Sequence, residues 1–203
     1  MISAINSAAR RVPNWLLYVL AVIPPAWLLW LAAAGELGVE PVNALERELG
    51  LLSLQLLLFG LAITPLQRFA GIRLLKLRRA IGLVSFVYVL LHLLVWALLD
   101  VQALSQVWAD ILKRPYITVG MAGFLLLIPL AATSNDRSVR KLGPRWRKLH
   151  RLVYAAVILG AVHFVMVQKV WEAEPLIYLG LAAGLIGLRF VPKRLPERTA
   201  RPV

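Results

Sequence analysis

Read for hydrophobicity, the chain is a series of six apolar runs separated by short polar segments. The runs fall at about 15–34, 49–66, 81–99, 115–133, 149–168 and 175–190. Each is close to the roughly 20 residues that cross a bilayer, the last being short. Backbone groups in hydrocarbon have no water to bond, so runs of this length must satisfy their own amides and carbonyls as helices. The pattern predicts an all-α polytopic membrane protein: a six-transmembrane-helix bundle forming one domain over residues 1–203. Pro24-Pro25 is expected to kink the first span. Thr64-Pro65 is expected to end the second, and Pro129 to Ser134 the fourth. Gly143-Pro144 reads as a turn. Residues 35–48 read as a short acidic loop, and 100–114 as a loop with an interfacial stretch around Trp108. Ala32-Ala33-Ala34 resembles a signal-peptidase site. The preceding run is longer than a typical signal h-region, and its removal would leave an odd number of spans, so it is expected to be retained.

Composition agrees: 60% of residues are apolar and only 16% charged. The net charge of +13 invites a nucleic-acid reading, which its distribution contradicts. With both termini placed in the cytoplasm, only Arg47, Lys113, Arg114 and Lys169 of the 23 Lys and Arg residues fall outside. Of the ten acids, only Asp136 and Glu197 fall inside. Such a Lys/Arg bias sets membrane orientation. The basic blocks are topology signals and lipid-headgroup contacts, and no nucleic-acid partner is expected. The basic tail from Lys193 is expected to be mobile. The absence of cysteine rules out disulfides, iron–sulfur clusters, thiolate zinc sites and thioether-linked haem.

The three histidines carry the candidate chemistry. An ionisable residue inside a membrane span is a functional-site hypothesis by default. His92 lies past the middle of the third span and His163 about three-quarters along the fifth. Odd-numbered spans run in the same direction, so the two sit at similar depth. Paired imidazoles at matched depth on parallel helices are what bis-histidine ligation of a b-type haem requires. The alternative for each is a hydrogen bond to a neighbouring helix's carbonyl. His150 lies about 20 Å below His163 at a rise of 1.5 Å per residue, level with Arg78 and Arg79. An ideal helix points His150 and His163 roughly 140° apart. Both can serve one column of cofactors only if the helix bends, and Gly160 is the expected place. His150 also reads as a plain interfacial residue among Arg147, Lys148 and Arg151.

Arg78–His92 (R-R-A-I-G-L-V-S-F-V-Y-V-L-L-H), Pro129–Ser134 (P-L-A-A-T-S) and Trp146–Tyr154 (W-R-K-L-H-R-L-V-Y), with His163 beyond, resemble the ferric-reductase-like transmembrane family. The likeness covers nearly the whole chain. It is closest to a branch that serves as the haem-binding membrane subunit of bacterial periplasmic methionine sulfoxide reductase systems. The resemblance implies an electron-transfer subunit of the inner membrane with one or two b haems, and FMN as a further cofactor. Electrons would come from quinol or a cytosolic flavin reductase and pass to a periplasmic molybdopterin catalytic subunit. It further implies that His92 and His163 are axial ligands of an outer haem, and His150 a ligand or close contact of an inner one. In two-haem members the inner ligand on the third span would fall at Arg78. Guanidinium has no acceptor lone pair, so Arg78 is expected to pair with a propionate instead. Without appended flavin and nicotinamide domains, a self-sufficient NADPH-driven reductase is not expected. Two rival readings are a stand-alone ferric or quinone reductase, and a non-redox transporter or scaffold whose histidines relay protons or join helices.

Overall fold

The computed structural model describes residues 2–168, 170 and 172–191. The tail from Lys193 lies outside the described residues, as do Lys169 and Glu197. Among them eleven α-helices follow one another: α1 (Ile2–Arg11), α2 (Asn14–Leu20), α3 (Ile23–Ala33), α4 (Pro41–Phe69), α5 (Arg78–Val95), α6 (Leu104–Lys113), α7 (Pro115–Ala132), α8 (Asp136–Leu142), α9 (Pro144–Leu149), α10 (Leu152–Val167) and α11 (Ala173–Gly187). There is no strand among the described residues. Five segments are long and apolar enough to cross a membrane: 14–33, 41–69, 75–101, 115–132 and 144–167. The sixth apolar helix, α11, has 15 residues. At 1.5 Å per residue it covers about 22 Å, less than the ~30 Å hydrocarbon core. Trp15, Trp27, Trp30, Leu125 and Leu181 are exposed on the outside of the bundle, a surface suited to lipid and not to water.

Proline explains most of the differences from the predicted boundaries. A proline inside a helix removes the amide that would bond the carbonyl four residues back. Pro24-Pro25 does break the first span: α2 stops at Leu20 and α3 begins at Ile23. The Ala21 carbonyl, which Pro25 cannot reach, accepts instead from the Tyr88 hydroxyl at 2.8 Å. Pro65, by contrast, does not end the second span. The helix runs through it to Phe69, and Arg189 Nη2 donates to the stranded Leu61 carbonyl at 3.0 Å. The predicted acidic loop is also shorter than 35–48. Pro41, at the first turn where its missing amide is harmless, starts α4 there and carries Glu46 and Glu48 into the helix. The stretch around Trp108 is helical: Leu104, Trp108 and Leu112 recur every four residues and are all exposed, an apolar stripe fit for the membrane interface. On its other face Asp110 is buried and held by Gln106 at 2.7 Å and Arg114 at 3.4 Å.

The bundle is built on two antiparallel helix pairs, α4 with α5 and α7 with α10, with α11 packed on α10 and α4. Leu54, Leu57, Leu58 and Leu61 of α4 meet Leu127 and Leu130 of α7, Ala156, Val157 and Ala161 of α10, and Ala182 of α11. Small residues let helix backbones approach in a membrane, where apolar transfer alone does not drive association. Gly123 of α7 is an instance. A Cβ there would lie 3.4 Å from Leu159 Cβ and 3.5 Å from the Ala156 carbonyl oxygen, both on α10.

Candidate functional site

The two helix pairs place His92 and His163 side by side. Their ring centroids lie 6.2 Å apart, with the ring planes at 71°. Each ring is anchored by the first helix of its own pair. His92 Nδ1 is 2.9 Å from the Glu46 carbonyl oxygen on α4. His163 Nδ1 is 2.8 Å from the Tyr116 carbonyl oxygen on α7. A carbonyl oxygen only accepts, so Nδ1 carries the proton in each ring and Nε2 keeps its lone pair. The carbonyl contact weighed as an alternative to ligation is therefore present, but it engages the nitrogen that ligation leaves over. Metal-binding histidines ordinarily donate their second nitrogen in this way.

The separation has a direct chemical meaning. Two metal–nitrogen bonds of about 2 Å each, with half an imidazole at either end, put ring centroids about 6 Å apart. The observed 6.2 Å is the spacing of a metal gripped between two imidazoles. No group of three or more His, Asp or Glu able to hold a metal exists among the described residues. Two imidazoles meet here, so a metal between them would take its remaining ligands from a prosthetic group. His92 and His163 would suit an iron porphyrin.

His150 stands apart from this pair. It closes α9, and the chain turns at His150–Arg151 before α10 begins at Leu152. The bend or local unwinding expected near Gly160 is not there, since Gly160 lies within regular helix. The α-helical pattern is interrupted instead at His150–Arg151, where i→i+3 bonds replace it. His150 stacks on Trp146, with centroids 3.8 Å apart. Its Nδ1 donates to the Trp146 carbonyl at 3.1 Å, and Nε2 faces the Ser134 hydroxyl at 3.5 Å. The Trp146 indole donates in turn to the Thr133 carbonyl at 2.9 Å. The short motifs around Ser134 and Trp146 thus form one contact. No second histidine comes near His150, since the other two pair with each other. Arg78 begins α5, half-buried, with Nη1 3.5 Å from the Thr64 hydroxyl. Its neighbour Arg79 pairs with Asp136 at 2.7 Å.

Sequence reasoning missed Arg189, which stacks on the Tyr154 ring at 4.9 Å while bonding Leu61. It also missed the backbone acceptors of the two paired histidines and the glycines beside them. An arginine just past the last apolar helix was the available signal for the first. Backbone carbonyls carry no signal of their own.

A sequence model described as "Ferric reductase like transmembrane component" matches residues 48–161, which include all three histidines. The chain belongs to the ferric-reductase-like family, in its MsrQ branch. The protein-methionine-sulfoxide reductase heme-binding subunit MsrQ of Brucella anthropi is 46% identical over 191 residues, covering 93% of this chain and 86% of that protein. The proteins of the same name from Brucella ovis and Brucella melitensis are each 43% identical over 209 residues, covering 100% of this chain and 94% of theirs. No solved structure matches the chain.

Proposed function

We propose that the protein is the b-type haem electron-transfer subunit of a methionine sulfoxide reductase in a bacterial inner membrane. His92 and His163 are its metal ligands. The carrying observation is the pair of imidazoles 6.2 Å apart, both tied through Nδ1 to backbone carbonyls. Haem, when bound, supplies one-electron cycling between Fe(III) and Fe(II). The chain's own part is to hold two neutral imidazoles in one tautomer and one orientation. Arg78, half-buried at the basic end, is suited to a propionate or other carboxylate, and His150 to contact with a second cofactor there; FMN is the further candidate. Both termini lie in the cytoplasm on this reading, by the Lys and Arg bias. Electrons enter from quinol or a cytosolic flavin reductase and leave to a periplasmic molybdopterin partner. The names of the Brucella relatives support the methionine sulfoxide reductase and haem-binding parts of this reading. The acidic outer segments around Glu36 to Glu48 are the docking face for that partner.

The test is the visible spectrum of the detergent-purified protein, oxidised and dithionite-reduced, with a pyridine haemochrome count. A b-type spectrum that His92→Ala and His163→Ala each abolish or convert is the expected result. A colourless, folded protein expressed with haem supplied would refute the proposal and favour a transporter or scaffold.

A further inference from the structure

The two histidines share a device that no sequence motif announces. In each case the accepting carbonyl belongs to a residue four positions before a glycine on the neighbouring helix: Glu46 before Gly50, and Tyr116 before Gly120. In an α-helix the carbonyl of residue i points along the axis towards residue i+4, and each Cβ tilts back towards the N-terminus. The Cβ of residue i+4 therefore stands beside that carbonyl, where a ring coming from outside must pass.

The space is already taken by imidazole. A Cβ on Gly50 would lie 3.1 Å from His92 Nδ1 and 3.2 Å from its Cε1. One on Gly120 would lie 2.9 Å from His163 Nδ1 and 3.1 Å from its Cε1. The glycines are not there for backbone freedom, since both lie within regular helix. Gly82, Gly180, Gly184 and Gly187, also in helices, have nothing within 4 Å of such a Cβ.

We propose that Gly50 and Gly120 are positioning residues: by leaving out a side chain, each lets its histidine reach a carbonyl that already serves the helix's own ladder. This rests on the reading of His92 and His163 as metal ligands. The device puts the second bond of each ligand on rigid backbone instead of on a side chain. Donation from Nδ1 to a carbonyl raises the basicity of Nε2, which favours the oxidised metal and lowers the potential. It also fixes the rotation of each ring, and so the angle between the two. An added methyl group pushes the ring off its carbonyl and relaxes both effects.

The experiment uses the full chain in detergent micelles and compares Gly50→Ala, Gly120→Ala and a control, Gly123→Ala. Gly123 is on the same helix as Gly120 and close-packed, but against Leu159 instead of a histidine. Both test variants are expected to raise the midpoint potential and shift the largest g-value of the low-spin EPR spectrum. Gly120→Ala is expected to act more strongly, because its contact is the closer. In haem-free protein labelled with 15N-histidine, the Nδ1–H tautomer should dominate in wild type and Gly123→Ala. In each test variant it should give way to a mixture at the adjacent histidine. Wild-type potential, EPR and tautomers in both test variants would overturn the proposal, as would equal shifts in Gly123→Ala. If Gly120→Ala fails to fold, Gly50→Ala, with its longer contact, decides alone. Failure of the ligation reading is separable: His92→Ala and His163→Ala would then leave the haem spectrum unchanged, while the tautomer measurement still reports on the glycines.

Discussion

Removal of the Arg189 side chain tests how this fold tolerates proline in the middle of a membrane helix. Arg189→Ala deletes the 3.0 Å bond from Nη2 to the Leu61 carbonyl and the stack on Tyr154 at 4.9 Å. A hydrogen bond from a charged donor is worth about 1.5–3 kcal/mol in soluble proteins. A cation over an aromatic face adds about 0.5–2 kcal/mol. In membranes the unfolded reference state finds partners too, and measured polar contacts average nearer 0.6 kcal/mol. A loss of about 1–3 kcal/mol is therefore expected, read as a lower midpoint in SDS-induced unfolding followed by tryptophan fluorescence. The decisive comparison adds Pro65→Ala, which restores the amide that Leu61 lacks. On that background Arg189→Ala should lose only the stack, leaving a coupling of about 1 kcal/mol in the double-mutant cycle. Additivity within about 0.3–0.5 kcal/mol, the behaviour of independent sites, would refute the claim that the arginine substitutes for the missing amide.

Two further outcomes follow from the packing. Gly123→Val should separate α7 from α10, since a Cβ alone already meets Leu159 at 3.4 Å. An overpacking penalty of about 1–3 kcal/mol is expected in the same unfolding assay, together with weakened cofactor retention at His163. Arg79→Ala removes an exposed ion pair with Asp136 and should change stability by no more than about 1 kcal/mol. A larger change, or one that persists at high salt, would contradict the surface character of that pair.

What the sequence determined by itself is the part that depends on solvent. Six apolar runs in hydrocarbon must be helices, because no other local structure satisfies their backbone. The segregation of charge orients them, and helix length alone puts His92 and His163 at one depth. Those arguments need only residue type and spacing, and the family motifs around the histidines could be read in the same way. Depth, however, does not say what a side chain touches. That the two rings stand 6.2 Å apart with Nδ1 occupied depends on the neighbouring helices α4 and α7, whose Glu46 and Tyr116 contribute only backbone.

The boundaries that sequence reading misplaced have the same origin. Pro25 and Pro65 each strand a carbonyl, yet one helix breaks and the other continues. Both stranded carbonyls find a distant donor, Ala21 the Tyr88 hydroxyl and Leu61, 128 residues away, Arg189. The first site differs in having two consecutive prolines, which remove two successive amides. The interruption before α10 falls at His150–Arg151 and not at Gly160, which lies within regular helix. Local sequence fixes which bonds are missing, and only the tertiary structure decides which distant group makes them.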